Sequence, residues 1–303
     1  MVVVVYLIAT IVFFLSHASP YDPIKLNLGQ HAANKLIYNN YAHLFGLDKS
    51  EWEQYKAYMG GLLHGNFGYS EGTDTWGQPV WSLLQNGVPV SLKLGGFALI
   101  LSLIIGLPIG LISALKQNTI VDHGSQFFVM VAYAIPVFVL IPLAQLLFAV
   151  QLRWLPVSGW GAPGLEGYRQ MILPVTLFAA GLAGFFAKSF RSFMLEVLSQ
   201  DYIRTAKAKG LKQRLVLYRH AFKNTLLPLA SIVGPTIAFL IVGSFIVETF
   251  FGIPGIGLTT VDSVLSSDYP VIEATTLILA VFVVFINMLT DIFYAMVDPR
   301  VRL

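Results

Sequence analysis

Six long apolar blocks alternate with polar segments along the chain. They cover residues 2–16, 89–115, 125–150, 171–190, 225–251 and 271–297. All but the first reach the roughly 20 residues that an α-helix needs to cross the apolar core of a bilayer. Because a helix satisfies its own backbone hydrogen bonds in lipid, the pattern predicts an all-α membrane protein with about six transmembrane helices.

The composition supports this interpretation and limits the possible chemistry. Hydrophobic residues make up 56% of the chain and charged residues only 12%, whereas an average soluble domain is about 25% charged. There is no cysteine, which excludes disulfides, thiol catalysis and cysteine metal sites. The six histidines show no metal-binding spacing, and we expect neither a metal nor another cofactor in this chain.

The basic residues indicate the orientation in the membrane. Seven of them fall on one side of the predicted spans and twelve on the other. The smaller set is Lys25, Lys35, Lys49, Lys56, Lys93, Arg153 and Arg169, and the larger is Lys116, nine residues between 188 and 223, Arg300 and Arg302. Since basic residues near the ends of spans stay in the cytoplasm, both termini are expected there. This topology also explains the net charge of +3, so no nucleic-acid partner is expected.

The first apolar block leaves two interpretations open. It ends in Ser16-His17-Ala18, which has the small-x-small pattern of a signal-peptidase site. However, no basic residue precedes it, and its removal would leave five spans. We expect instead a first span that is completed upstream of Met1 or by tilt and local thinning of the bilayer.

Residues 17–88 are predicted to form a small folded element outside the cell. Aromatic residues give this element apolar surface to bury, and a helix is expected over Lys49 to Leu63. The aromatic residues are Trp52, Tyr55, Tyr58, Phe67, Trp76 and Trp81. Packing on the membrane face and contact with an external partner both remain open.

The middle of the predicted spans holds almost no ionisable residue. Glu248 and Glu273 lie near the outer ends, and Lys188 and Asp291 lie nearer the inner ends, where long side chains reach the interface. The polar residues left to line a path are Ser102, Gln145, Thr176, Ser231, Thr236 and Asn287. Prolines 108, 136, 142, 174, 228 and 235 fall inside the blocks and indicate kinked or broken helices.

The connection over residues 196–228 differs from everything around it. Asp201 is a favourable N-cap, Tyr202 to Lys209 favours a helix of about two turns, and Gly210 suits the left-handed position that ends one. The sequence thus predicts a short exposed helix. We expect Tyr202, Ile203 and Ala206 to form a face that docks into a partner.

This connection resembles the EAA loop of ABC importer permeases in the dipeptide, oligopeptide and nickel branch. The resemblance is carried by Asp201-Tyr202-Ile203-Arg204-Thr205-Ala206-Lys207-Ala208-Lys209-Gly210, by Arg219-His220-Ala221 and by Asn224-Thr225-Leu226-Leu227-Pro228. It implies that residues 201–210 are the coupling helix, which binds the ATP-hydrolysing subunit. Arg204 replaces the acidic residue of the general motif, and the stretch from Gly210 to Pro228 is longer than usual. In both of these features the chain is similar to the sequences of that branch.

Further matches support the resemblance between residues 75 and 303. They are Val247-Glu248-Thr249-Phe250-Phe251-Gly252-Ile253-Pro254-Gly255-Ile256-Gly257, the stretch Ser267-Asp268-Tyr269-Pro270 and the closing Asp298-Pro299-Arg300. The resemblance implies a type I ABC importer permease fold. Residues 1–88 would then hold the first transmembrane helix and the external segment, and residues 89–303 the core permease domain with the loop 196–228.

The resemblance also implies what the chain does and what it binds. It would form half of a translocation pathway in the inner (plasma) membrane, together with a second homologous permease, two ATPase subunits that hold ATP and Mg, and an external solute-binding protein. The chain itself would not be an enzyme. Di- or oligopeptides are the expected substrates, with nickel chelates and glutathione as alternatives. An ion-coupled secondary transporter is the competing class, but it would need carboxylates inside the membrane. An intramembrane enzyme would need catalytic motifs that the sequence does not contain.

Overall fold

The computed structural model describes residues 2–18, 22–28 and 34–297. Within these ranges the chain is helical, and its one β-type pairing is the isolated bridge between Tyr69 and Pro79. The elements are α1 (Val2–His17), α2 (Pro23–Leu28), α3 (Lys35–Phe45), α4 (Glu51–Leu63), α5 (Val80–Leu84), α6 (Gly87–Leu115), α7 (Ile120–Ala134), α8 (Val137–Ala144), the π-helix π1 (Gln145–Gln151), α9 (Leu165–Ser199), α10 (Asp201–Ala208), α11 (Gln213–Leu215), the π-helix π2 (Val216–Phe222), α12 (Lys223–Phe251), α13 (Ile256–Ser266) and α14 (Tyr269–Val297).

Four helical stretches are long and apolar enough to cross a membrane. They are Val80–Leu115, Leu165–Ser199, Gln213–Leu240 and Tyr269–Phe293. Two bent pairs of helices raise the number to six if each pair counts as one span. This agrees with the predicted all-α membrane fold of about six helices. The first apolar block forms α1, which has 16 residues and is shorter than the other candidates.

The third predicted span is bent rather than straight. The expected span 125–150 falls on α7, α8 and π1, and the axis of α7 differs by 93° from that of the stretch Val137–Gln151 that follows the break. Pro136 causes the break because it lacks an N–H and holds Ile135 in an extended conformation, with φ −84° and ψ 118°. After α12 the chain forms the further helix α13 before α14 begins.

The described residues fall into two compact units. The first comprises residues up to 91 together with 254–284, and the second comprises 92–253 together with 285 onward. The domain boundary at residue 88 that the sequence suggests concerns membrane topology and stays a prediction. Asp298-Pro299-Arg300 lies outside the described residues.

The first unit contains the aromatic element predicted from the sequence. The expected helix is present as α4, which begins with a capping box between Ser50 and Glu53. The rings of Tyr55 and Tyr58 pack against Phe13 of α1, with centroids 5.4 and 5.3 Å away. Tyr55 and Tyr58 of the predicted apolar surface therefore pack against this helix, whereas Trp52 and Trp81 are exposed.

A buried carboxylate fixes another part of the first unit. Asp268, which is 2% exposed, accepts hydrogen bonds from the Ser70 hydroxyl at 2.5 Å and from the Glu71 N–H at 2.9 Å. The Thr75 hydroxyl lies 3.4 Å from the same carboxylate. Asp268 directly precedes α14 and thus ties the turn over residues 70–75 to the start of that helix.

The second unit is built around the 35-residue helix α9. On one side α6 approaches so closely that a Cβ added at Gly106 or Gly110 would lie 2.6 or 2.5 Å from a carbonyl oxygen of α9. On another side Gly184 of α9 meets the Val129 carbonyl of α7, where an added Cβ would be 3.0 Å away. Small residues thus let both neighbours pack directly on the backbone of α9.

Candidate functional site

The short helix predicted after residue 200 is present as α10. It covers Asp201–Ala208, and Gly210 follows it with φ +74°, as the sequence predicts. The Gly210 N–H donates to the Lys207 carbonyl at 3.0 Å, and the Leu211 N–H donates to the Ala206 carbonyl at 3.4 Å. These two bonds form a Schellman motif, in which a left-handed glycine ends the helix.

The predicted N-cap is wrong by one residue. Gln200 is the capping residue, and its side chain makes no capping hydrogen bond. Asp201 instead begins the helix, where its charge interacts favourably with the positive end of the helix dipole. Its Oδ1 lies 3.5 Å from Nη1 of Arg204, and both side chains are largely exposed.

The structure corrects the predicted docking face. Ile203 is fully buried and Ala206 is 6% exposed, so neither is available to a partner. Both belong to a core cluster with Met194, Val216 and Ala221 of the same unit. The outward residues of α10 and its end, called here the outer face, are Asp201, Tyr202, Arg204, Thr205, Lys207, Ala208, Lys209 and Gly210.

The buried pair anchors α10 to its neighbours. Met194 lies on α9, and Val216 and Ala221 lie on π2, so the cluster joins the helix to the elements before and after it. Asn224 of α12 adds a hydrogen bond from Nδ2 to the Tyr202 hydroxyl at 3.2 Å. A single residue separates the end of α9 from α10. The outer face is therefore presented by a helix that is held on both sides.

A mainly apolar cavity of about 480 Å³ lies in the first unit and one of about 610 Å³ in the second. The second is lined at the α7–α8 break by Ile135 and Pro136 and on α12 by Ser231, Pro235 and Thr236. Pro235 has no N–H, so the Ser231 carbonyl loses its usual helical partner. Two of the polar residues proposed to line a path thus reach this cavity.

The other four proposed path residues lie elsewhere. Ser102 is buried and donates to the Leu99 carbonyl, and Thr176 donates to the Ile172 carbonyl. Gln145 donates from Nε2 to the Val157 and Phe250 carbonyls at 2.9 and 3.3 Å. Asn287 is exposed. Within the described ranges, no group of three His, Asp or Glu side chains is arranged to hold a metal ion.

Sequence reasoning missed a buried ion pair. Arg191 of α9 donates from Nε and Nη2 to the two carboxylate oxygens of Asp122 at 2.8 and 2.6 Å. The Ser113 hydroxyl and the Asn118 N–H also donate to this carboxylate, at 2.5 and 2.9 Å. Asp122 is 1% exposed. A signal was present, because the pattern leaves an acid just before the predicted span 125–150 and an arginine just after the predicted span 171–190.

Comparison with known proteins places these features in a family. The family model described as "Binding-protein-dependent transport system inner membrane component" matches residues 106–303. The corresponding N-terminal model matches residues 1–94. The chain belongs to this family. It is a multi-pass membrane permease of the binding-protein-dependent class.

Curated relatives of this binding-protein-dependent permease match almost its whole length. The dipeptide transport system permease protein DppB of Lactococcus lactis is 38% identical over 98% of this chain and 95% of its own. The oligopeptide transport system permease protein OppB of Salmonella typhimurium is 36% identical over 98% and 94%. DppB of Bacillus subtilis is 35% identical over 100% and 95%.

Solved structures confirm the fold of the permease. A chain of the MetNI methionine ABC transporter in an inward-facing conformation matches with a TM-score of 0.60, covering 73% of this chain and 99% of its own at 18% identity. A chain of an amino acid ABC transporter matches with a TM-score of 0.57, covering 71% and 94% at 15% identity. At these identities the likeness concerns the fold alone.

Proposed function

We propose that this chain is one permease subunit of an ATP-driven, binding-protein-dependent importer of di- and oligopeptides. The observation that carries the proposal is the 38% identity to a dipeptide permease over 98% of the chain. Relatives named for oligopeptide transport match over similar lengths. The chain provides half of the pathway across the plasma membrane, and a second homologous permease provides the other half.

The outer face of α10 is the proposed contact for an ATPase subunit in the cytoplasm. Its basic residues Arg204, Lys207 and Lys209 are exposed, and the buried Ile203 and Ala206 keep the helix fixed to α9 and π2. A helix held in this way transmits a push from a partner as a rigid-body movement. Both termini face the cytoplasm in this arrangement. ATP and Mg are held by the two ATPase subunits, and the permease contributes no catalytic group.

Transport by the assembled complex tests the substrate class. The chain would be purified with the second permease and the ATPases, placed in lipid vesicles and supplied with the solute-binding protein and a labelled dipeptide. We expect uptake that requires ATP, that longer peptides inhibit, and that glutathione or a nickel chelate does not inhibit. Uptake that survives ATP depletion but is abolished by an ionophore would refute the proposal in favour of an ion-coupled transporter.

The coupling role of residues 201–210 is tested at Gly210. Valine at this position would place a β-branched residue at φ +74°, and a left-handed conformation costs an L-residue about 1–2 kcal/mol. We expect Gly210→Val to distort the end of α10 and to lower peptide-stimulated ATP hydrolysis several-fold. Gly124→Val is the matched control, because Gly124 has ordinary φ and no atom within 4 Å of an added Cβ. Equal hydrolysis and uptake in the two variants would count against coupling through this helix.

A further inference from the structure

The ion pair between Asp122 and Arg191 lies where two helices of the second unit must keep their register. Its two hydrogen bonds, at 2.8 and 2.6 Å, join the carboxylate of α7 to the guanidinium of α9 in a bidentate arrangement. The Ser113 hydroxyl brings α6 to the same carboxylate at 2.5 Å. The pair therefore fixes three helices at one point.

Stability alone is a weak reason for such a pair. Removing two charges from water costs so much that apolar residues of similar volume often stabilise a protein as well or better. Buried ion pairs are best attested where they set one arrangement of elements against its alternatives. The pair between Asp122 and Arg191 is therefore expected to hold the helices that it joins in one register.

The pair connects α10 with the cavity of the second unit. Arg191 lies ten residues before Asp201 on a helix that only Gln200 separates from α10. Asp122 lies in the first turn of α7, and the far end of this helix reaches Ile135 and Pro136, which line the 610 Å³ cavity. A rigid α7 attached to α9 thus relates the position of α10 to the wall of the cavity.

Further along the two helices, α7 and α9 approach each other closely at Gly184. At Gly184 the backbone of α9 meets the Val129 carbonyl without a side chain between them. At this point α9 presents no side chain of its own that would oppose sliding or rotation of α7. The bidentate pair opposes both sliding and rotation of α7 on α9, because two parallel hydrogen bonds define a direction as well as a distance.

We propose that Asp122 and Arg191 are positioning residues that make α7 follow α9, so that movement of α10 reaches the cavity wall at Ile135 and Pro136. The pair touches neither substrate nor ATPase and acts through the two helices that it joins. This inference rests on the proposed function, since it assumes that α10 is moved by an ATPase subunit.

The number of peptides imported per ATP hydrolysed tests the inference in the assembled complex in vesicles. Asp122→Asn removes the charge at nearly constant shape, and Arg191→Lys keeps the charge but loses the bidentate geometry. We expect both variants to retain their partner subunits and basal ATP hydrolysis, while the number of peptides per ATP falls about fivefold, a typical loss along a coupled network. Glu196→Gln is the matched control, because Glu196 is an exposed acid on α9.

An engineered cross-link separates positioning from a general need for the charge. The natural chain has no cysteine, and a Cβ added at Gly184 would lie 3.6 Å from Cβ of Tyr133, within the range of about 3.5–4.5 Å found in disulfides. Cysteines at both positions in the Asp122→Asn background should join α7 to α9. We expect oxidation to restore the number of peptides per ATP and reduction to abolish the rescue in the same protein.

Two results distinguish this inference from the proposed function. A natural complex that imports no peptide overturns the proposed function and the inference with it. If the Asp122→Asn and Arg191→Lys complexes import as many peptides per ATP hydrolysed as the unaltered complex, the inference is overturned and the proposed function is not affected. Oxidised cysteines that leave the Asp122→Asn defect unchanged also overturn it.

Discussion

The packing of α6 on α9 offers the sharpest test of the structure. A Cβ added at Gly110 would lie 2.5 Å from the Ala187 carbonyl oxygen, whereas real Cβ atoms essentially never come closer than 3.0 Å to a neighbouring atom, so the helices must shift. A backbone carbonyl in the middle of a helix cannot rotate away. Gly110→Ala should therefore force α6 and α9 apart.

The expected cost follows from two opposing effects. Overpacking destabilises proteins by about 1–3 kcal/mol, and alanine gains about 1 kcal/mol over glycine in a helix interior. We expect a net loss of up to about 2 kcal/mol for Gly110→Ala. The loss should be larger when Gly106→Ala is added, since that Cβ would be 2.6 Å from the Ala183 carbonyl oxygen. Gly96→Ala is the matched control on the same helix, because an added Cβ there meets nothing within 4 Å.

The free energy of unfolding can be measured by titrating the purified protein with SDS in mixed micelles and following tryptophan fluorescence. We expect the Gly110→Ala variant to unfold at a lower SDS fraction than the natural chain, and the Gly96→Ala variant at an equal or higher one. Equal stability of the two variants would refute the close approach of α6 to α9.

Two further predictions concern the first unit. Asp268→Ala would leave the donors of Ser70 and Glu71 without their acceptor, which costs about 1–3 kcal/mol for each buried group. We therefore expect faster protease cleavage within residues 65–79. Asp262→Ala, which removes an exposed acid of the same unit, should leave the cleavage rate unchanged. Burial, with the nearby carboxylates of Asp268 and Glu273, raises the pKa of Glu71 from 4.5 to about 8. The folded state then holds a proton on Glu71 that the unfolded state releases, so the contribution of this group to stability is fully present below pH 4.5 and is lost as the pH rises to about 8. Hydrogen exchange of residues 66–79 should show this decline as a free energy of opening that falls with pH, and Glu71→Gln should abolish the pH dependence. An equal pH dependence in the variant would contradict the attribution of the decline to Glu71.

Local signals in the sequence were enough to predict α10 and its end. A two-turn helix followed by a left-handed glycine depends on residues within one short stretch, and Gly210 adopts the expected φ. The buried face of the helix was not predictable in the same way. Ile203 and Ala206 are buried by Met194 and by residues of π2, which a pattern within the helix does not reveal.

The prolines show a similar limit. The sequence marks six of them inside the apolar blocks, but five lie inside continuous helices: Pro108, Pro142, Pro174, Pro228 and Pro235. Only at Pro136 does the chain turn by 93°. Each proline removes one donor, and whether the helix continues depends on how the neighbouring helices pack around the freed carbonyl.

Contacts between distant residues were the least predictable feature. Asp122 and Arg191 are 69 positions apart, and each alone is consistent with a charge at the end of a span. The glycines at 106 and 110 form a small-residue motif, but the motif does not identify α9 as its partner. Such pairings are decided by the packing of whole helices.

The division of α10 into a buried face and an outer face separates two kinds of evolutionary change. Substitutions at Ile203 or Ala206 act on the folding of the membrane domain itself, whichever ATPase subunit binds to it. Substitutions of exposed side chains such as Arg204, Lys207 and Lys209 leave that scaffold intact and act on recognition. For a chain that works as proposed, evolution can therefore replace one ATPase subunit by another through changes in a few exposed side chains. The helices that line the transport pathway need not change.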